Sequence, residues 1–468
     1  MREMGPGSWA FEEFGGARIE DHRWRRRLVS MANRAARRPA GRVTDTFVSS
    51  AERQGAYGLL EAAAVWTAQV GEAVFAACAR RCAGEPFVFC PVDGTSLTLT
   101  EGQDKGFGPI GARAQGSRGV KVVNAMVLSA DGVPLGISSQ RWWTRPDRRR
   151  QQHRDQLRPD QKETQHWLDA MKQTREVMAE QAPGTRCWFQ LDREGDAWPM
   201  LLDAGLDGHW FTIRASRNRR VRLPNGERSY LRSLLAGEPV KTEYQLEVRA
   251  TAHRKGRTAN MVVRACRVTL DGRDKRTGKR FPIDVNVVHA VERGTTPAGE
   301  KPIEWTLLTN RPIETMKGLT DVILGYSMRW RIEELHRTWK SGACSVEESQ
   351  LRSKDAVIKW ATILVAVAVR IERIKQLSRE QPDRPATDEF SPVEIKAAVL
   401  LHFGKSAKAP KTGSLATATI ADVTLWIACI GGYTGRTSSG GPPGSITLAR
   451  GLERVRVAAQ ALEALSSD

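Results

Sequence analysis

Tyr326, Arg329, Glu333 and Lys340 follow one another at steps of three, four and seven residues. If Asp321 to Ser341 is one α-helix, those steps place all four in a narrow arc. Met328, Ile332, Leu335 and Trp339 then gather on a different side, the one that would bury. A carboxylate flanked by a phenol, a guanidinium and an ammonium suits chemistry on a phosphodiester. The acid can hold a metal ion, and the basic groups can grip phosphate oxygens. A solvated face carrying an Arg329/Glu333 pair at i,i+4 is the other reading of this segment, and the segment alone leaves it open.

Two more acids sit where strands end. Phe87-Val88-Phe89-Cys90 leads into Val92-Asp93-Gly94, and Cys187-Trp188-Phe189-Gln190-Leu191 ends on Asp192. With Glu333 on a helix, the three carboxylates would converge at the edge of one α/β sheet. They would repel one another unless divalent cations sat between them, and hard oxygen donors suit Mg²⁺, with Mn²⁺ as a substitute. Two such ions about 4 Å apart activate a water or a 3′-hydroxyl and stabilise the leaving oxygen. Taken singly, Asp93 and Asp192 read equally as turn caps, since Asp-Gly is a common turn pair. The chain has 53 acids, so the surroundings must supply specificity.

The elements that would position these acids follow from periodicity. Residues 18 to 68 read as helices, with a dense basic cluster at Arg23 to Arg27 and a capping-box pattern at Ser49 and Glu52. Val120 to Ser129 and Val133 to Trp143 read as a hairpin around Asp131-Gly132. Arg148 to Asp160 is a charged loop, Thr164 to Met178 a helix and Trp210 to Ala215 a strand. Residues 218 to 301, rich in β-formers and turn signals, interrupt the α/β pattern as a β-rich insertion. Ile303 to Thr309 returns to strand, and Gln350 to Gln376 is a helix with an apolar middle. A Pro/Asp/Glu-rich linker over 377 to 395 precedes a mostly helical remainder, broken at Gly431-Gly432 and over Ser438 to Pro443.

Composition narrows the partner. The 468 residues are 40% hydrophobic, enough for about three domains with real cores. Lys plus Arg (72) exceeds Asp plus Glu (53), leaving +19. That excess points to a polyanion, nucleic acid before an anionic membrane surface. The opening residues have no secretory pattern, and the longest apolar stretch, Trp360 to Val369, is too short to span a bilayer. The expectation is a soluble bacterial cytoplasmic protein, nucleoid-associated when on DNA. Seven cysteines without a CxxC read as reduced buried thiols rather than a zinc site. Two near-miss phosphate loops fail: Val399 stands where Gly404-Lys405-Ser406 needs a glycine, and Gly272 is one residue too far from Gly278-Lys279. No nucleotide cofactor is expected.

The string from Tyr326 to Gly342, with Arg329, Trp330, Glu333, His336, Trp339 and Lys340 in place, resembles the Tyr-Arg-Glu-Lys signature of DDE transposases. It is most similar to the insertion-sequence-four family (the Tn-five type). Asp192-Arg193-Glu194-Gly195-Asp196 and Val92-Asp93-Gly94-Thr95-Ser96 resemble the two Asp blocks of that family. Arg141 to Pro146, Trp305 to Thr309, Gln54 to Tyr57 and Ile430 to Tyr433 also look familial, so the resemblance runs colinearly over nearly the whole chain.

The resemblance implies a ribonuclease-H-like α/β catalytic core over 69–376 with the β-rich insertion at about 218–301. It implies an N-terminal helical DNA-end-binding domain over 1–68 and a C-terminal helical dimerisation domain over 377–468. Asp93, Asp192 and Glu333 would hold two Mg²⁺ ions per site, while Tyr326, Arg329, Trp330, Lys340 and Arg214 would contact DNA. Trp305 would stack on a flipped base. The implied activity is cut-and-paste transposition, in which a homodimer paired on double-stranded transposon ends cleaves through a hairpin and joins the 3′ ends to target DNA. A nuclease or recombinase on the same core, or a DNA-binding descendant without catalysis, stands as the alternative. Three features depart from the family pattern: Pro91 inside the first catalytic strand, the Gly- and base-rich segment Gly102 to Gly119, and Gly440-Gly441-Pro442-Pro443.

Overall fold

The structure, a computed structural model, describes residues 8–99, 106–111, 116–146, 162–248, 255–273, 280–404, 417–435 and 441–465. The expected charged loop Arg148 to Asp160, parts of Gly102 to Gly119, Lys405-Ser406 and residues 438–440 lie outside them. Five helices open the chain: α1 (Trp9–Phe14), α2 (His22–Arg37), α3 (Val43–Thr46), α4 (Ser50–Glu61) and α5 (Thr67–Arg81). Asp21 caps α2 by accepting the Arg23 N–H, and Ser49 with Glu52 forms the reciprocal box expected at α4. Leu28, Met31, Ala32 and Ala35 bury one face of α2 and leave Arg23, Arg25, Arg26 and Arg27 in solvent.

The central sheet begins with β1 (Phe87–Thr98), β2 (Gly108–Pro109), β3 (Arg118–Leu128) and β4 (Pro134–Trp143). After α6 (Thr164–Gln181) come β5 (Arg186–Leu191), α7 (Trp198–Asp203) and β6 (Trp210–Arg214). β1 pairs antiparallel with β3 and parallel with β5; β3 pairs antiparallel with β4, and β5 parallel with β6. The order is therefore β4-β3-β1-β5-β6. Gly132 turns the expected β3–β4 hairpin at φ +83, a conformation open to glycine. Pro91 is accommodated without a bulge: pairing to β3 lapses at Cys90 and Pro91 and resumes at Val92 in the same register.

The β-rich stretch supplies β7 (Arg220–Arg222), β8 (Arg228–Tyr230), α8 (Leu231–Gly237), β9 (Val240–Val248), β10 (Arg257–Arg273) and β11 (Arg280–Arg293). It does not build a sheet of its own. The returning strand β12 (Glu304–Thr309) pairs antiparallel with both β6 and β11, so one 12-stranded sheet runs through both parts.

The remaining helices are α9 (Met316–Met328), α10 (Trp330–Lys340), α11 (Lys354–Glu380), α12 (Pro392–Phe403), α13 (Ile420–Ile430) and α14 (Ser445–Leu465). The single helix expected from Asp321 to Ser341 is instead α9 and α10, joined at Arg329. Arg329 N–H donates to Tyr326 O (3.1 Å) and Ile332 N–H to Arg329 O (3.2 Å), so the joint is one tight i→i+3 turn inside helical dihedrals. The linker expected over 377–395 is also shorter, because α11 runs to Glu380 and α12 starts at Pro392. The Arg373–Glu389 ion pair (2.7 Å) and the Ala386 N–H to Ala418 O bond (2.9 Å) hold the segment between.

Strand alternation sorts the core into two layers. Val88, Cys90 and Val92 of β1 and Cys187, Phe189 and Leu191 of β5 bury against α6 and the end of α5. Phe89 of β1 and Trp188 of β5 point the other way, towards α9, α10 and α11. Trp339 anchors α10 on α11, fully buried with its Nε1 donating to Ala361 O (2.9 Å). Truncating a side chain so placed costs about 3–5 kcal/mol. All seven cysteines are free.

Candidate active site

Asp93 shares strand parity with Phe89, and Asp192 with Trp188, so both acids belong to the α9–α10 face of the sheet. Phe89↔Trp188 and Pro91↔Gln190 are paired positions of β1 and β5. That register, continued two residues further, sets Asp93 beside Asp192; β1 does not end in a turn at Asp93, as expected, but runs on to Thr98 because its ladder with β3 continues past the acid. Each acid is steadied by a backbone donor: Gly94 N–H to Asp93 Oδ1 (2.8 Å) and Glu194 N–H to Asp192 Oδ1 (2.7 Å). Gly94 has no room for a side chain, because a Cβ there would come 2.7 Å from Trp167 of α6. Strand and helix meet closely behind the acid.

The tight turn between α9 and α10 aims Arg329 at these acids. Its guanidinium pairs with Asp93 Oδ2 (3.4 Å) through one arm and hydrogen-bonds Glu333 through the other. The side chain is only 11% exposed. Of the four residues expected on one stripe, Arg329 and Glu333 touch, with Tyr326 one turn before, while Lys340 lies apart; nor is the stripe solvated, since Tyr326 and Arg329 are buried and Glu333 is half-buried. Met328, Ile332, Leu335 and Trp339 do form the side turned inward, Met328 less completely than the others.

Burial, then the charge of Asp192, pushes the Asp93 carboxyl up to about 7, against the opposing pull of Arg329 and the Gly94 N–H; Glu333 adds to the rise. A carboxyl raised in this way sits where positive charge is short. Among the described residues no group of three or more His, Cys, Asp and Glu side chains is spaced, as it stands, to hold a metal ion. Arg329 fills the gap between two of the three acids. Carboxylate oxygens are the donor type a hard divalent cation takes, and Arg329 is bound to two of the three.

The other expected residues divide into two sets. Trp305 of β12 meets Tyr326 edge-to-face at 5.4 Å between ring centroids. Burial raises the Tyr326 phenol, against the nearby Arg214 and Arg329. Arg214, at the end of β6, donates to Glu304 O (2.7 Å). Trp305, Tyr326 and Arg214 thus flank the acids. Lys340 lies further along α10 and pairs with Glu347 (3.5 Å), not with the acids. Trp330 opens α10 at 52% exposure, beside Arg329.

Sequence reasoning missed two sets of supporting residues. Asp196 has a fully buried side chain that pairs with Arg219 (2.5 Å) and accepts from Ser216 N–H (2.7 Å), Ser216 Oγ (2.9 Å) and Arg217 N–H (3.2 Å), fixing the turn after Arg214. Asn124 and His336 hydrogen-bond each other (3.0 Å) between β3 and α10. A signal existed for Asn124, a polar residue within the apolar run Val122 to Leu128; His336, followed by Arg337 and Thr338, and Asp196 carried no comparable one.

Residues 6–65 match the transposase DNA-binding family, a segment that covers α1 to α4 with their exposed arginines. That match supports a transposase and supports DNA as a partner of the N-terminal helices. No helix among the described residues is long and apolar enough to cross a membrane.

Proposed function

We propose that this chain is a cut-and-paste DNA transposase of the insertion-sequence-four type, with a ribonuclease-H-like core. Asp93, Asp192 and Glu333 are its metal-holding acids. The observation that carries this reading is the convergence of the three acids: two on adjacent parallel strands in matching register, and the third tied to the first through Arg329. The strand order β4-β3-β1-β5-β6, an antiparallel meander followed by two parallel strands beside the first, supports the ribonuclease-H-like assignment. The N-terminal match supports end binding by residues 1–68.

Two Mg²⁺ ions, or Mn²⁺ in their place, supply water activation and stabilisation of the leaving oxygen when bound. The chain's own residues do the rest. Arg329 leaves its carboxylates for a phosphate oxygen, which frees the acids as substrate arrives. Arg214 and Tyr326 hold the strand at the edge of the sheet, and Trp305 offers a ring on which an extruded base stacks. Trp330 and Lys340 extend the contact along α10. Residues 377–468 serve as the dimerisation unit, so that two ends are paired before cleavage and before joining to target DNA.

The test is a band-shift and cleavage assay with the inverted repeats that flank the gene. The wild-type chain should bind the repeats and, with Mg²⁺, nick them and form hairpins. Asp192→Ala should bind equally and cut nothing. Cleavage unchanged in Asp192→Ala would end this reading, and end binding without any cleavage by the wild type would leave a DNA-binding descendant.

A further inference from the structure

We infer that Asn124 and His336 are positioning residues which set the separation of Asp93 and Glu333, an inference that rests on the metal-dependent reading above. Asn124 is the direct cross-strand partner of Asp93 in the β1–β3 ladder. Directly opposed residues project from the same face, with Cα atoms about 4.5–5.5 Å apart. His336 follows Glu333 by three residues on α10, so the two share a helix face. The Asn124 Nδ2 to His336 Nε2 bond (3.0 Å) is therefore a rung that runs alongside the gap between Asp93 and Glu333.

The rung is fixed at its strand end. Gln140 Nε2 donates to Asn124 Oδ1 (2.9 Å), and Thr362 Oγ1 donates to Gln140 Oε1 (3.0 Å), carrying the chain from β3 through β4 to α11. Asn124, Gln140, His336 and Thr362 are all buried. In this arrangement His336 Nε2 is the acceptor, and its proton resides on Nδ1. A buried, connected set of this kind favours one geometry, because a slip leaves polar atoms unpaired.

Its need follows from Arg329. While the guanidinium grips both Asp93 and Glu333, it ties strand to helix by itself. Once it yields these acids to a phosphate or to an entering cation, that tie is lost and β1 and α10 are free to spread. The Asn124–His336 bond opposes that spreading at the neighbouring position. It touches neither substrate nor metal, and acts through the two acids.

Mn²⁺ binding to the full-length chain without DNA, read by electron paramagnetic resonance, tests this apart from turnover. His336→Leu keeps volume and removes the acceptor, while His336→Gln restores one. His336→Leu should weaken Mn²⁺ binding about ten-fold, the scale of an outer-shell loss, and lower kcat for end cleavage with KM for DNA unchanged. His336→Gln should recover much of both. Thr362→Val, at the remote end of the chain, should move both in the same direction by less, and serves if His336→Leu does not fold. Equal Mn²⁺ binding by wild type and His336→Leu, equal impairment of the Leu and Gln variants, or an unaltered Thr362→Val would overturn the inference. If the wild type itself shows no Mn²⁺ signal that Asp192→Ala removes, the metal-dependent reading falls first.

Discussion

Arg329 and Asp93 form an ion pair at 3.4 Å in which the arginine side chain is 11% and the aspartate side chain 18% exposed. The same guanidinium binds Glu333, so one cation serves two acids that the chain separates widely. Arg329→Gln should therefore raise Mn²⁺ affinity in the DNA-free protein by about ten-fold, one pKa unit's worth of lost competition, while lowering end cleavage. Calorimetric titration with Mn²⁺ checks it. Weaker Mn²⁺ binding by the variant would mean that Arg329 organises the acids instead of competing for them.

Stability should depend on pH through Asp93. Its carboxyl lies at about 7 when folded and near 3.8 when unfolded, so the folded state holds the proton more tightly. The stabilisation is complete below about pH 4 and is lost as pH rises through 7. In urea melts of the metal-free protein, the wild type should lose stability relative to Asp93→Asn across that window, a comparison in which the opposing contribution of buried His336 cancels. A difference between wild type and Asp93→Asn that stays constant from pH 4 to 7 would contradict the burial argument.

Asp196 should be structural. With its partner Arg219 also buried, Asp196→Ala leaves an uncompensated guanidinium and frees the Ser216 and Arg217 amides. A loss of about 3–5 kcal/mol is expected, readable in chemical denaturation. A loss under about 1 kcal/mol, the scale of an exposed pair, would show that the turn is held by other contacts.

Gly325 marks a close approach between α9 and the strands. A Cβ there would lie 2.5 Å from Phe89 and 3.1 Å from Gln190. Gly325→Ala should destabilise by about 1–3 kcal/mol through overpacking, despite alanine's better helix propensity. A stabilised variant would mean that Phe89 swings aside freely.

End binding should weaken steeply with salt, since Lys and Arg on phosphate carry it. Arg25→Ala with Arg26→Ala, both on the solvent side of α2, should lower the slope of log K against log salt by about 2. An unchanged slope would place the DNA elsewhere.

Much of this architecture was legible because local signals agreed with the global fold. The capping box at Ser49, the Gly132 hairpin and the apolar runs ending at Asp93 and Asp192 each rest on interactions within a few residues. The stripe of Tyr326, Arg329 and Glu333 was visible as spacing, yet its burial was not. Burial depends on the β1 and β5 surface that α9 and α10 cover, which no helical period encodes. The break at Arg329 was hidden for the same reason, since its dihedrals are helical and only the hydrogen-bond step changes. The junction of the β-rich stretch with the core was invisible because strand partners such as Leu307 and Arg214 lie far apart in sequence.

The shared sheet gives the outer strands mechanical leverage. β10 and β11 form a ribbon of fourteen residue pairs, and β11 passes its ladder to β12, β12 to β6, and β6 to the strand that ends at Asp192. A force on that ribbon would twist the floor beneath the acids through backbone hydrogen bonds alone.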